Sequence, residues 1–157
     1  KVIAARRLQK KVEHKKTVDE LIPVSNLSHL LKNSDFVVIA CPLTPVTKNM
    51  IGKRELSEMK STAFIINIAR GEIINEAALI NALQNKTLAG AALDVFEKEP
   101  LPKESPLFAL DNVFLSPHIS GNFPEYQHDV MVQFADNLNR YLAGKDLKNR
   151  VCKKRLY

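Results

Sequence analysis

The sequence predicts an α/β protein built on a doubly wound parallel sheet. The sheet is expected to be incomplete, lacking its first strand and the glycine-rich loop after it. Three observations carry this prediction. Short apolar runs alternate with helix-patterned segments along the 157 residues, the arrangement that gives a parallel sheet flanked by helices. The five glycines, Gly52, Gly71, Gly90, Gly121 and Gly144, are too scattered to form a phosphate-binding fingerprint. Arg70, Glu99 and His118 each stand just past an apolar run, where ligands bind in an open parallel sheet.

Taken in order, Lys1-Val2-Ile3-Ala4-Ala5 reads as a strand, the second of such a sheet. Asn26 to Asn33 places Leu27, Leu30 and Leu31 on one helical face. Phe36-Val37-Val38-Ile39-Ala40 is a continuous apolar run, the pattern of a strand buried on both faces. Pro42 and Pro45 end it in a loop. Lys53 to Lys60 allows a helical turn or two before a strand over Phe64–Ala69. Asn75 can cap a helix to about Asn85, with Ala78, Leu79, Ala82 and Leu83 at helical spacing. A strand over Ala89–Leu93 leads into a loop punctuated by Pro100, Pro102 and Pro106, and Val113–Leu115 precedes Pro117-His118. The last helix spans about Pro124 to Ala143 and stops at Gly144. Its Val130, Phe134, Leu138 and Leu142 form an apolar stripe suited to packing.

An apolar fraction of 45% and a charged fraction of 25% are those of a soluble globular protein. No apolar run approaches a membrane span and no signal peptide opens the chain, so the cytoplasm is expected and a membrane partner is not. Cys41 and Cys152 lie far apart without metal-ligand spacing, which argues against a metal site or a disulfide framework. Cys41 reads as a small buried side chain, not a nucleophile. The net charge is +6, much of it in Arg6, Arg7, Lys10, Lys11, Lys15 and Lys16 and again in Lys153, Lys154 and Arg155. Aromatic residues are not interleaved with these charges as stacking platforms. A solvated basic surface is expected, and no nucleic-acid partner.

A guanidinium, a carboxylate and an imidazole at one sheet edge can hold an anionic substrate and move a proton. Arg70 offers a planar pair of donors to a carboxylate. His118 can exchange a proton near neutral pH, and a carboxylate such as Glu99 beside it favours the charged ring. Each residue alone has a plainer reading. Arg70 could be a surface ion-pair partner, Glu99 a loop carboxylate, Asp94 a turn cap and His118 a structural histidine. His14, His29 and His128 read as surface or structural groups.

Four segments, in order, carry a family resemblance. They are Cys41-Pro42-Leu43-Thr44-Pro45-Val46-Thr47, Ile66-Asn67-Ile68-Ala69-Arg70-Gly71-Glu72-Ile73-Ile74-Asn75-Glu76, Leu88 to Pro100, and Asn112 to Gly121. With these, the chain resembles the D-isomer-specific 2-hydroxyacid dehydrogenases from Lys1 to about Val151. The resemblance implies a Rossmann-type domain over residues 1–121 and, over 122–157, a helix and tail returning toward a mostly absent substrate domain. Part of the last helix's apolar stripe would then lack its partner. It implies that Arg70 grips the substrate carboxylate, that His118 is the acid–base group and that Glu99 partners it. Asp94 would contact the cofactor near its nicotinamide. Ile68, Ala69 and the stretch His118 to Gly121, with Ser120, would line the nicotinamide and its ribose. Pro42 and Thr47 would lie beside the adenosine and pyrophosphate. Family members commonly form homodimers. Formate dehydrogenases of this family carry glutamine in place of the histidine's carboxylate partner, so Glu99 argues against that branch.

An acidic residue after the second strand marks NAD in dinucleotide-binding folds. Here Arg6-Arg7 stands in that place, with no carboxylate until Glu13, which favours NADP over NAD. The leading expectation is an oxidoreductase that passes hydride between NAD(P)H and a small 2-keto or 2-hydroxy acid, such as glyoxylate, hydroxypyruvate or a phosphorylated relative. The alternatives are a catalytically silent dinucleotide sensor of the corepressor type, or an inactive fragment.

Overall fold

The computed structural model describes residues 1–7 and 9–153, so Lys154 and Arg155 of the basic tail lie outside the described residues. The chain divides into two compact units, the first ending at Pro117 and the second beginning at His118.

The first unit holds two sheets. In one, β1 (Ile3–Arg6), β2 (Glu13–Lys15) and β3 (Val18–Pro23) lie in the order β1-β3-β2. β1 runs parallel to β3, with Ile3 opposite Glu20, and β2 pairs antiparallel to β3. The β2–β3 hairpin was not anticipated from the sequence. Glu20 anchors this sheet to α1 (Leu27–Asn33), since His29 Nε2 lies 2.7 Å from its Oε2. Hydrogen bonds from Lys1 and His29 hold the Glu20 carboxyl below its ordinary value.

The other sheet consists of β4 (Phe36–Ile39), β5 (Phe64–Asn67), β6 (Gly90–Leu93) and β7 (Val113–Leu115), all parallel and adjacent in that order. The first two connections run through α2 (Lys53–Glu58) and α3 (Glu76–Gln84), and the third through the single helical turn Pro106–Ala109. Alternate residues Val37, Ile39, Ile65, Ala91 and Leu93 are buried in one cluster with Leu56 of α2 and with Leu79 and Leu83 of α3. Period-two strands thus meet period-3.6 helices on one face. α3 begins where expected: Asn75 Oδ1 accepts the Ala78 N–H at 2.8 Å, closing its first turn.

The expectation that Phe36–Ala40 is buried on both faces is corrected. Val37 and Ile39 are 4% exposed, but Phe36 is 66% and Val38 55% exposed. Helices of this unit cover one face of the sheet, so only the inward half of the apolar run is covered. On the outward face Phe36 stacks on Phe64, its partner in register, at 5.9 Å between ring centroids. At Gly90, next in the same row, an added Cβ would lie 2.5 Å from the Asn112 carbonyl oxygen and 2.6 Å from the Phe64 ring.

The second unit contains α4 (Tyr126–Leu142) and the tail after it. Gly144 ends the helix in the left-handed region at φ 66°, and Lys145 N–H bonds back to the Arg140 carbonyl at 2.8 Å. The tail folds against the helix, with Lys148 N–H donating to Asn137 Oδ1 at 2.8 Å. Lys148 and Arg140 hold the Asp136 carboxyl below its ordinary value. Along the helix Val130, Phe134, Leu138 and Leu142 are exposed. No helix among the described residues is long and apolar enough to cross a membrane.

Candidate active site

Because β5, β6 and β7 are parallel neighbours, their carboxyl ends open on the same edge of the sheet. Three polar residues are stationed there. Asn67 closes β5 and is 1% exposed, Asp94 follows β6 and is 3% exposed, and Ser116 follows β7. Buried polar side chains of this kind persist because they are hydrogen-bonded. Ser116 Oγ donates to Asp94 Oδ1 at 2.5 Å, and the Asp94 N–H donates to the Asn67 carbonyl at 3.0 Å.

Asn67 shapes the turn that presents Arg70. Its Oδ1 accepts the Ala69 N–H at 3.1 Å and its Nδ2 donates to the Arg70 carbonyl at 3.0 Å. The chain is thereby bent out of β5 after Asn67, two residues earlier than the apolar run implies. Ile68 and Arg70 are exposed at this bend, and Arg70 Nη1 donates to the Ala69 carbonyl at 2.6 Å. From the other side the Asn49 N–H donates to the Glu72 carbonyl at 2.8 Å and Ile51 bridges to Ile74, so the loop after β4 braces the turn.

The loop after β6 reaches the same place. A Cβ on Gly71 would lie 1.9 Å from the carbonyl carbon of Phe96. Backbone therefore meets backbone at this point, and only glycine permits the approach. Glu99 Oε1 accepts the Phe96 N–H at 3.0 Å. Glu97 Oε1 accepts the Glu76 N–H at 3.3 Å, and Glu76 Oε2 accepts the Glu97 N–H at 3.1 Å. The loops carrying Arg70 and Glu99 are thus brought together. His118 opens the second unit and takes a left-handed backbone at φ 55°, an uncommon setting for a residue with a side chain. Ser120 and Gly121 follow it in that unit.

The other expected contact residues fall on loops. Thr47 Oγ1 donates to the Pro42 carbonyl at 2.8 Å and accepts the Thr44 N–H at 2.8 Å, so it fastens the loop after β4. Arg6 is the last residue of β1, and both it and Arg7 are exposed. Burial raises the Cys41 thiol above its ordinary pKa, consistent with an inert side chain. Reasoning from sequence assigned no role to Asn67, Gly71, Glu76, Glu97 or Ser116. Of these, Asn67 carried a usable signal, an amide side chain ending an otherwise apolar strand.

A dinucleotide suits this edge by the chemistry of its groups. An exposed apolar side chain, Ile68, adjoins a cation and buried hydrogen-bonded polar groups; in the other sheet, Arg6 at the end of β1 and Arg7 after it are exposed.

Comparison with known proteins gives the family. Residues 1–120 match the family described as D-isomer specific 2-hydroxyacid dehydrogenase, NAD binding domain. The chain is 47% identical over 126 residues to a glyoxylate/hydroxypyruvate reductase B of Enterobacter agglomerans, covering 80% of this chain and 39% of the relative. It therefore spans about two fifths of the length of the curated relatives it matches. A D-isomer specific 2-hydroxyacid dehydrogenase from Xanthobacter autotrophicus Py2, solved with NADPH and MES, superposes with a TM-score of 0.89 at 36% identity, covering 99% of this chain and 62% of that one. An NADPH-dependent glyoxylate/hydroxypyruvate reductase from Sinorhizobium meliloti, solved with NADP and sulfate, gives 0.89 at 29% identity, covering 100% of this chain and 49% of that one. The family match spans the strand ends on which Arg70, Asp94, Glu99 and His118 follow one another, and the chain belongs to the D-isomer specific 2-hydroxyacid dehydrogenase family.

Proposed function

We propose that the protein reduces a small 2-keto acid to the 2-hydroxy acid at the carboxyl edge of its parallel sheet. The observation that carries this reading is the clasp between the loops after β5 and β6, which presents Arg70 and Glu99 from adjoining strands. Arg70 holds the substrate carboxylate; its bond to the Ala69 carbonyl orients the guanidinium and leaves further donors for a two-point grip. A bound nicotinamide dinucleotide supplies the hydride. His118 delivers a proton to the keto oxygen as negative charge builds there, with Glu99 as its carboxylate partner in this reading. Ile68, Ala69, Asp94, Ser120 and Gly121 face the nicotinamide end. Pro42 and Thr47 serve the adenosine and pyrophosphate side.

The cofactor in this reading is NADP. Arg6 and Arg7 stand where an NAD-specific protein places a carboxylate for the ribose, and two guanidiniums suit a 2′-phosphate. The solved relatives from Xanthobacter and Sinorhizobium hold NADPH and NADP. The substrate is glyoxylate or hydroxypyruvate, in line with the curated relatives.

The test is oxidation of NADPH and NADH driven by each keto acid at neutral pH, using the product of the complete reading frame. Turnover with a preference for NADPH is expected. Replacing Arg6 and Arg7 by alanine is expected to raise the KM for NADPH at least about tenfold, the worth of a charged hydrogen bond, and to spare NADH. Dinucleotide binding without turnover of either keto acid contradicts the reading. Equal use of both dinucleotides, unmoved by the substitutions, contradicts the NADP assignment alone.

A further inference from the structure

We infer that Glu76 and Glu97 form a positioning latch that fixes Arg70 relative to Glu99; the inference rests on the roles proposed above for those two residues. The two glutamates are 21 residues apart, yet each carboxylate accepts the other's backbone N–H, at 3.3 Å and 3.1 Å. This pairing is reciprocal and sits beside the close approach of Gly71 to the Phe96 backbone. Glu76 is the first residue of α3, so the Glu97 carboxylate also accepts a helix N-terminal donor that has no partner inside the helix.

The mechanical path is short on both sides. Gly71 directly follows Arg70 and begins the single helical turn Gly71–Ile73 that leads to α3. Phe96 directly precedes Glu97, and its N–H holds the Glu99 carboxylate. Glycine makes the approach sterically possible but supplies no directional bond. The two glutamate bonds set the register. Each carboxylate accepts its bond from a backbone amide, a charge-assisted pairing. Neither glutamate touches substrate or cofactor in this scheme. Both act through the loops they join.

The experiment uses the product of the complete reading frame and four single variants, Glu76→Ala, Glu97→Ala, Glu76→Gln and Glu97→Gln, with the double alanine variant. Steady-state kinetics are measured well below the melting temperature. Either alanine variant is expected to raise the KM for the keto acid about tenfold, because small displacements of a positioning group cost one to two orders of magnitude. The KM for NADPH stays within about twofold. Glutamine keeps an acceptor oxygen and restores wild-type KM. The double alanine variant is no worse than the poorer single one, since breaking either bond opens the latch. A merely structural role lowers the active fraction, and so kcat, without moving one KM selectively. If an alanine variant does not accumulate as folded protein, Glu→Asp at the same position replaces it, being one methylene short of its amide, with the same expectation. An unchanged keto-acid KM in the alanine variants, or glutamine variants as impaired as alanine, overturns the latch while the reductase reading stands. Wild-type protein that turns over no keto acid overturns both.

Discussion

Gly71→Ala is expected to destabilise the protein by about 3 kcal/mol, the upper end of the usual cost of overpacking, and to abolish most activity. The added methyl would sit 1.9 Å from the Phe96 carbonyl carbon and 2.4 Å from the Glu97 nitrogen. Both are backbone atoms, so no rotamer change relieves the clash. Relief requires the loop after β6 to move away from the turn after β5, breaking the Glu76–Glu97 bonds. Thermal melts of wild type and variant measure the cost, and a fall in Tm of roughly 10 °C corresponds to it. A Tm within a degree or two of wild type contradicts the backbone contact. The effect should also be specific to this glycine. Ala at Gly52 meets only Glu55 Oε2 at 3.5 Å and Asn49 O at 3.9 Å, both ordinary contacts.

The second large effect is at Arg70. Arg70→Ala is expected to lower kcat/KM for the keto acid roughly a thousandfold, the loss of two charged hydrogen bonds, with the KM for NADPH unchanged. Arg70→Lys is expected to recover only a minor part, because an ammonium cannot reproduce the planar two-point grip. The turn itself should survive both changes. Asn67, not the Arg70 side chain, makes the bonds that shape it. A variant that binds NADPH normally and reduces keto acid at the wild-type rate removes Arg70 from the mechanism.

Much of this arrangement was legible in the sequence because it rests on local chemistry. The cap at Asn75 and the stop at Gly144 each follow from one residue type at one position. The strand ends carrying Arg70, Asp94 and Glu99 follow from apolar runs that halt abruptly. What was not legible depends on partners far along the chain. β2 is Glu13-His14-Lys15, three polar residues with no strand pattern; pairing with β3 makes it a strand. The run Phe36–Ile39 is apolar throughout, yet which face is covered depends on where α2 and α3 pack. The Phe64–Ala69 run ends early because the Asn67 side chain captures the next turn, a competition that apolar patterning does not register. Glu76 and Glu97 look like surface charges until the fold brings their loops within hydrogen-bonding distance.

The central claim, proton delivery by His118 to a keto acid held by Arg70, is tested most directly by His118→Ala in the product of the complete reading frame. NADPH binding and keto-acid-dependent NADPH oxidation are measured side by side with wild type. The account predicts wild-type affinity for NADPH and a loss of turnover of at least about a hundredfold, the lower range for removing a general acid. Turnover equal to wild type, with NADPH still bound, would contradict it.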